Sequence, residues 1–69
     1  MNNFTIEFNG QPFEVPSGTT IEQLLVLAEI RSRLVAVEVN QEIVPRALHT
    51  SHLVAVGDTI EAVTLVGGG

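Results

Sequence analysis

The chain is 69 residues long and 45% apolar, enough for one small folded domain and too apolar for a disordered one. Its eight acidic and three basic residues give a formal net charge of −5, which excludes the dense Lys and Arg clusters that nucleic-acid binding needs. The absence of cysteine excludes disulfides and cysteine-ligated zinc or iron–sulfur sites.

The first predicted element is a β-hairpin. Residues 4–8 alternate apolar and polar side chains, the pattern of a strand with one buried face. Asn9-Gly10 is a strong signal for a tight hairpin turn. A second short strand follows at residues 13–15, and Pro16-Ser17-Gly18 closes it.

One helix is predicted next. Thr19 or Thr20 can act as its N-cap, and Glu22 or Gln23, three residues further on, completes a capping box. We expect the helix to end near Ile30, with that side chain folded under the edge of the sheet. The apolar residues that fall on one helix face are Ile21, Leu24, Leu25 and Ala28.

Two more strands are predicted directly after the helix. Residues 35–39 carry valine at every second position, which is typical of a β-branched strand. Asn40-Gln41 forms a turn before a short strand at residues 43–44, and Pro45 ends that strand.

The last third of the chain begins irregularly. Between residues 46 and 55 there is no clear period, and we expect Leu48 and Leu53 to anchor this segment in the core. Gly57-Asp58 is a turn signal. Residues 60–66 form an almost wholly apolar strand, as a central strand of a sheet would be.

The order of these elements predicts an α+β fold. Two strands, one main helix and three strands are typical of a mixed sheet packed on a single helix, the β-grasp roll. In that arrangement the last strand lies beside the first, in the middle of the sheet. We therefore predict a β-grasp domain at residues 1–66 and a flexible glycine tail at residues 67–69.

The three terminal glycines are the strongest functional signal. Glycine costs the most backbone entropy to order, so Gly67-Gly68-Gly69 adds nothing to a core. Four residues beyond Leu65 span at most about 13 Å and can enter a channel too narrow for side chains. They would deliver one functional group, the carboxylate of Gly69. We predict a carrier whose reactive atom is its own C-terminus; the alternative is a frayed end or a cloning remnant.

A carboxylate is a poor electrophile. Before a nucleophile can take its acyl group it must become a mixed anhydride, usually an acyl-adenylate made from ATP. The activating enzyme must hold the carboxylate at the nucleotide inside a pocket, and the amides of a slim tail can pair there as an added strand.

Other polar residues carry weaker signals. His49 and His52 lie near Arg46, but a metal site would need further ligands, so we expect surface or loop-packing histidines and no metal. For Arg46 we favour a salt bridge to Glu42 or Glu38 over a contact with a partner. The sequence shows no nucleophile, base and acid at the spacing of a catalytic triad, so it does not indicate a stand-alone enzyme.

The N-terminal residues Met1 to Phe4 show neither a positive nor an apolar leader region. No apolar stretch approaches the roughly 20 residues of a membrane span. The sequence therefore predicts a cytoplasmic protein without membrane contact.

Four segments together resemble the ThiS family, the sulfur carriers of thiamine biosynthesis. The resemblance covers nearly the whole chain, and the combination is specific although each piece alone is weak. The segments are Gly18 to Leu25, Val35 to Arg46, Gly57 to Glu61 and Val66 to Gly69.

The resemblance implies a β-grasp fold similar to ubiquitin and a chain that is a protein co-substrate, not an enzyme. By resemblance, a ThiF-type enzyme would use ATP to adenylate Gly69, with no cofactor bound by this chain. Sulfur from a cysteine desulfurase would then give a thiocarboxylate and pass to a ThiG-type thiazole synthase. Gly68 would supply the slim approach, whereas family members differ at the position of Gly67.

We expect partner contacts at the end of the last strand. Val63, Leu65, Val66 and Gly67 are the predicted partner-binding residues. The alternation cannot tell which of the three apolar residues face outward, because both sets of alternating positions are apolar.

Three alternatives stay open. The small subunit of molybdopterin synthase (MoaD-like) shares the fold and a Gly-Gly end, although those chains tend to be longer. Carriers for other thiocarboxylate pathways are the second alternative. The third is a ubiquitin-like interaction module whose tail is never activated.

Overall fold

A computed structural model describes residues 2–65 of the protein. Within this range the chain forms five strands, one α-helix and a short 3₁₀ turn, in the predicted order. The elements are β1 (Asn3–Phe8), β2 (Gln11–Pro16), α1 (Ile21–Leu27), β3 (Val35–Val39), β4 (Glu42–Val44), the 3₁₀ turn Arg46–Leu48 and β5 (Thr59–Thr64).

The five strands form one mixed sheet in the order β2-β1-β5-β3-β4. The last strand, β5, is central: it runs parallel to β1 and antiparallel to β3. This arrangement is the predicted β-grasp roll. No helix among residues 2–65 is long and apolar enough to cross a membrane.

The core lies between the helix and one face of the sheet. Burying an aliphatic side chain fully contributes about 1.5–3 kcal/mol, so a few such residues account for much of the stability of a small domain. The fully buried side chains from both layers are Ile21, Leu24, Ile60, Val15 and Val37.

The two predicted turns that join neighbouring antiparallel strands are confirmed, and both need left-handed backbone. Asn9 and Gly10 have φ of 52° and 81°, as a two-residue hairpin turn of the primed type requires. Asn40 and Gln41 have φ of 52° and 71°, so the second turn uses the same geometry without a glycine.

The start of the helix settles which threonine is the cap. Thr20 is the N-cap: its hydroxyl accepts from the Gln23 amide at 3.2 Å, and the Gln23 side chain accepts from the Thr20 amide at 3.0 Å. Thr19 is buried, and its hydroxyl donates to the carbonyl of Pro16 at 2.6 Å. The capping box therefore pairs Thr20 with Gln23.

The helix ends at Leu27, earlier than the sequence predicts. The amide of Ile30 donates back to Leu25 and that of Glu29 to Val26, the two bonds of a Schellman motif. Glu29 occupies the left-handed position, with φ of 61°. The reversal brings Ile30 against the core, as predicted.

The expectation that Leu48 and Leu53 anchor the irregular segment is wrong. Their side chains are 49% and 61% exposed, whereas His49 and Val54, one residue further on, are buried. The Val54 amide donates to the Thr19 carbonyl at 2.9 Å, which ties this segment to the start of the helix. In a segment without a regular period, apolar character alone does not show which residues are buried.

Candidate functional site

The candidate site lies at the C-terminal end of β5. Ile60 and Ala62 of this strand are buried, and the alternating residues Val63 and Leu65 are 57% and 52% exposed on the opposite face. The structure therefore answers the question that the alternation leaves open for these two residues. Val66, Gly67, Gly68 and Gly69 lie outside the described residues.

Neighbouring strands extend this apolar surface. Val63 lies opposite Ala36 in the β3–β5 register, and the register places Leu34 opposite Leu65 one pair further on. Leu34 and the β4 residue Ile43 are 59% and 69% exposed. We call this surface the outer patch; it consists of Leu34, Ala36, Ile43, Val63 and Leu65.

The outer patch is bordered by carboxylates. Glu38 lies directly opposite Glu61 across β3 and β5, and Ile43 lies opposite Glu38 from the other side. Like charges directly opposite each other destabilise a sheet, so this pair offers nothing to the fold itself. The arrangement gives the open face an apolar end near the tail and an acidic middle.

The end of β5 is held by the main chain. The amide of Leu65 donates to the carbonyl of Leu34 at 2.6 Å, just before the undescribed segment begins. Leu34 itself is fixed locally, because its amide donates to the Ser32 hydroxyl at 3.1 Å. One backbone hydrogen bond to Leu65 and one bond to a side-chain hydroxyl therefore hold this end of the sheet.

The arginine near this position has a different partner from the one expected. Arg46 donates through Nη1 to the carbonyl of Arg33 at 2.9 Å, and not to Glu42 or Glu38. The sequence indicates no contact for Arg33, and for Arg46 it favours a partner contact less than a salt bridge. Their proximity follows from the turn at Pro45, which sequence patterns do not place in space.

The two histidines differ in burial: His52 is half-buried, whereas His49 is buried, which the sequence does not predict. His49 is buried, and its Nε2–H donates to the Val44 carbonyl at 3.0 Å. Within residues 2–65 no three His, Asp or Glu side chains lie close enough together to hold a metal ion.

The pattern of this small β-grasp domain matches a known family over nearly its whole length. A family model described as the ThiS family matches residues 2–69. The chain belongs to the ThiS family. The match covers all four segments that carry the resemblance seen in the sequence, the three glycines included.

Individual relatives show which members of the ThiS family this chain is similar to. The sulfur carrier protein ThiS of Escherichia coli is 36% identical over 93% of this chain and 97% of its own length. A thiazole synthase of Paramagnetospirillum magneticum is 41% identical over 88% of this chain, which corresponds to 19% of that protein. The crystal structure of a thiamine biosynthesis protein (ThiS) from Geobacter metallireducens superimposes with a TM-score of 0.79 at 28% identity, covering 96% of this chain and 100% of that one.

Proposed function

We propose that the protein is a sulfur carrier of thiamine biosynthesis that holds sulfur as a thiocarboxylate on Gly69 and gives it up for thiazole formation. The observation that carries this proposal is the match to the ThiS family through residue 69. The E. coli sulfur carrier ThiS, similar along almost its full length, supports the same function. The chain then acts as a co-substrate that cycles between a free and a loaded C-terminus.

The chemistry of the cycle needs one displacement at phosphorus and one at the acyl carbon of Gly69. A carboxylate oxygen of Gly69 attacks the α-phosphorus of ATP, and pyrophosphate leaves. A sulfur nucleophile then attacks the acyl carbon, and the same oxygen leaves with AMP. Sulfide gives the thiocarboxylate directly, whereas the persulfide of a desulfurase gives an acyl disulfide that a thiol reductant must cleave to the thiocarboxylate. The net change replaces one oxygen by sulfur, and the glycines at 67 and 68 keep side chains out of the channel in which this happens.

The outer patch is the proposed docking surface for the enzymes that act on the tail. Contiguous exposed apolar residues mark interaction sites on small soluble proteins. Val63 and Leu65 belong to the strand that leads directly into the tail. Because four residues reach at most about 13 Å, an enzyme that takes Gly69 must also contact the surface around Leu65.

The relatives support one partner directly and the chemistry supports two more. In the thiazole synthase of P. magneticum, a segment similar to this chain is part of the same polypeptide as the synthase. A carrier that is covalently joined to a synthase in one organism supports a ThiG-type partner for this one. The adenylation step needs a ThiF-type enzyme with ATP, and a cysteine desulfurase is the proposed sulfur source.

Intact mass measurement tests the proposal. We expect incubation with a ThiF-type enzyme, ATP and a sulfur donor to produce the mass change of one oxygen replaced by one sulfur. Deletion of Gly69 should abolish this change while the far-UV circular dichroism spectrum stays that of the folded domain. An unchanged mass of the full chain under these conditions would refute the carrier function and favour an interaction module with an unactivated tail.

A further inference from the structure

All arginines of the chain lie in the two segments that flank the start of the tail. The Leu65 amide is bonded to the carbonyl of Leu34, whose chain neighbour is Arg33. The Arg33 carbonyl in turn accepts from the guanidinium of Arg46 at 2.9 Å. Arg31 precedes by two residues, and all three side chains are exposed.

Half of the opposite charge lies on another face of the domain. The chain has eight acidic side chains and three arginines. Four of the eight acidic side chains project from the open face of the sheet, the face away from the helix. Those four lie on strands β1, β2, β3 and β5, at positions that alternate with buried residues: Glu7, Glu14, Glu38 and Glu61. The open face of the sheet is therefore acidic, whereas the three arginines are gathered near the end of β5.

A cleft of about 280 Å³ lies between the helix and the segments that carry these arginines. Arg33 and Arg46 are among the residues that line it, and Glu22 is the one carboxylate among them. The cleft thus has a local excess of positive charge in a chain whose net charge is −5.

Arg46 is held in a defined position. Pro45 has φ of −57° and begins the 3₁₀ turn, in which the Leu48 amide donates to the Pro45 carbonyl at 2.8 Å. A guanidinium has five N–H donors, and within residues 2–65 the hydrogen bond of this one uses Nη1 toward Arg33. The planar fork is available to an external carboxylate.

We propose that Arg33 and Arg46 recognise carboxylates on the rim of the pocket that receives the tail, and so orient the carrier on its activating enzyme. This inference rests on the proposed function. A short tail forces the rim of the receiving pocket close to these arginines. Complementary charge then fixes orientation and speeds association more than it adds affinity. The partner is a protein surface with Asp or Glu side chains at the pocket entrance.

The test is the steady-state rate of pyrophosphate release by a ThiF-type enzyme at saturating ATP, with the carrier concentration varied. We expect Arg33→Gln and Arg46→Gln each to raise the KM for the carrier about two- to fivefold, the range of an exposed ion pair, with kcat unchanged. The double variant should combine both effects and lose most of the dependence of KM on salt.

Matched variants distinguish the effect of losing an arginine at this position from the effect of a change in net charge. Asn3→Asp changes the net charge by the same one unit at the opposite end of the sheet, and its KM should equal that of the wild-type chain. Arg33→Lys should keep most of the wild-type KM. Arg33→Gln leaves the Arg33 carbonyl in place for Arg46, so it tests the inference even if Arg46→Gln disturbs the turn.

Three outcomes would overturn the inference. An unchanged KM in both Gln variants, or the same rise in Asn3→Asp, would mean that these arginines do not meet the rim. With ATP varied at saturating carrier, a rise in the KM for ATP alone would assign them to nucleotide phosphates. Failure of the wild-type chain to support any Gly69-dependent pyrophosphate release would refute the proposed function itself, and this inference with it.

Discussion

Asn9 and Ala62 are joined by a pair of hydrogen bonds that imitate strand pairing. The Ala62 amide donates to Asn9 Oδ1 at 2.8 Å, and Asn9 Nδ2 donates to the Ala62 carbonyl at 3.3 Å. Asn9 follows the last residue of β1, so its side-chain amide continues the β1–β5 ladder by one step beyond the backbone pairs. The residue that turns the first hairpin thus also holds the strand that leads into the tail.

Replacing Asn9 by glycine isolates this function. Glycine keeps the left-handed backbone, since Asn9 has φ of 52°, but removes both side-chain hydrogen bonds. We expect the free energy of unfolding to fall by about 1–2 kcal/mol, because the Ala62 groups lose their partners. Urea denaturation followed by far-UV circular dichroism measures the change. Asn9→Asp keeps the acceptor and should lose less; equal stability of all three chains would contradict this interpretation.

The elements with a strong local signal were predictable from the sequence. Strict alternation placed β1 and β3, and the apolar run placed β5 in the centre of the sheet. The position of the helix end was not predictable, because its left-handed residue is Glu29 and not the usual glycine. The burial of His49 was equally hidden, because it depends on a three-residue turn and not on a repeating pattern.

Glu29 is the site of the second prediction. A non-glycine residue in the left-handed region costs roughly 1 kcal/mol relative to glycine. Glu29→Gly should therefore raise the free energy of unfolding by about 0.5–1 kcal/mol. Glu29→Gln is the matched control: it removes the charge, keeps the Cβ and should leave stability nearly unchanged. If the Gln variant gained as much as the Gly variant, charge and not backbone strain would be the cause.

His49 and His52 provide a matched pair for the third prediction. His49 is buried and satisfies the Val44 carbonyl, whereas His52 is half-buried and its side chain makes no hydrogen bond within residues 2–65. His49→Ala should lower the free energy of unfolding by about 1–3 kcal/mol, since it leaves a buried carbonyl unpaired. His52→Ala should change it by less than about 0.5 kcal/mol. Comparable losses in urea denaturation would argue against a specific structural function of His49.

The candidate site could be predicted only in part. The sequence pointed to Val63 and Leu65, because they stand next to the tail on the last strand. It did not point to Leu34 or Ile43, which join the patch through the strand register and the order of β5, β3 and β4. Residues brought together by pairing between strands leave no local mark in the sequence.

The outer patch gives the fourth prediction, which concerns function. Val63 is 57% exposed and lies opposite Ala36, so a lysine at this position can reach solvent without disturbing the core. Val63→Lys should leave the free energy of unfolding within about 0.5 kcal/mol of the wild-type value. If the patch docks the activating enzyme, the KM for the carrier in Gly69-dependent pyrophosphate release should rise about tenfold or more, as for a central interface residue.

Thr59→Lys, with the same lysine at the far end of β5, is the control and should behave like the wild-type chain. An unchanged KM in folded Val63→Lys would place the docking surface elsewhere on the domain.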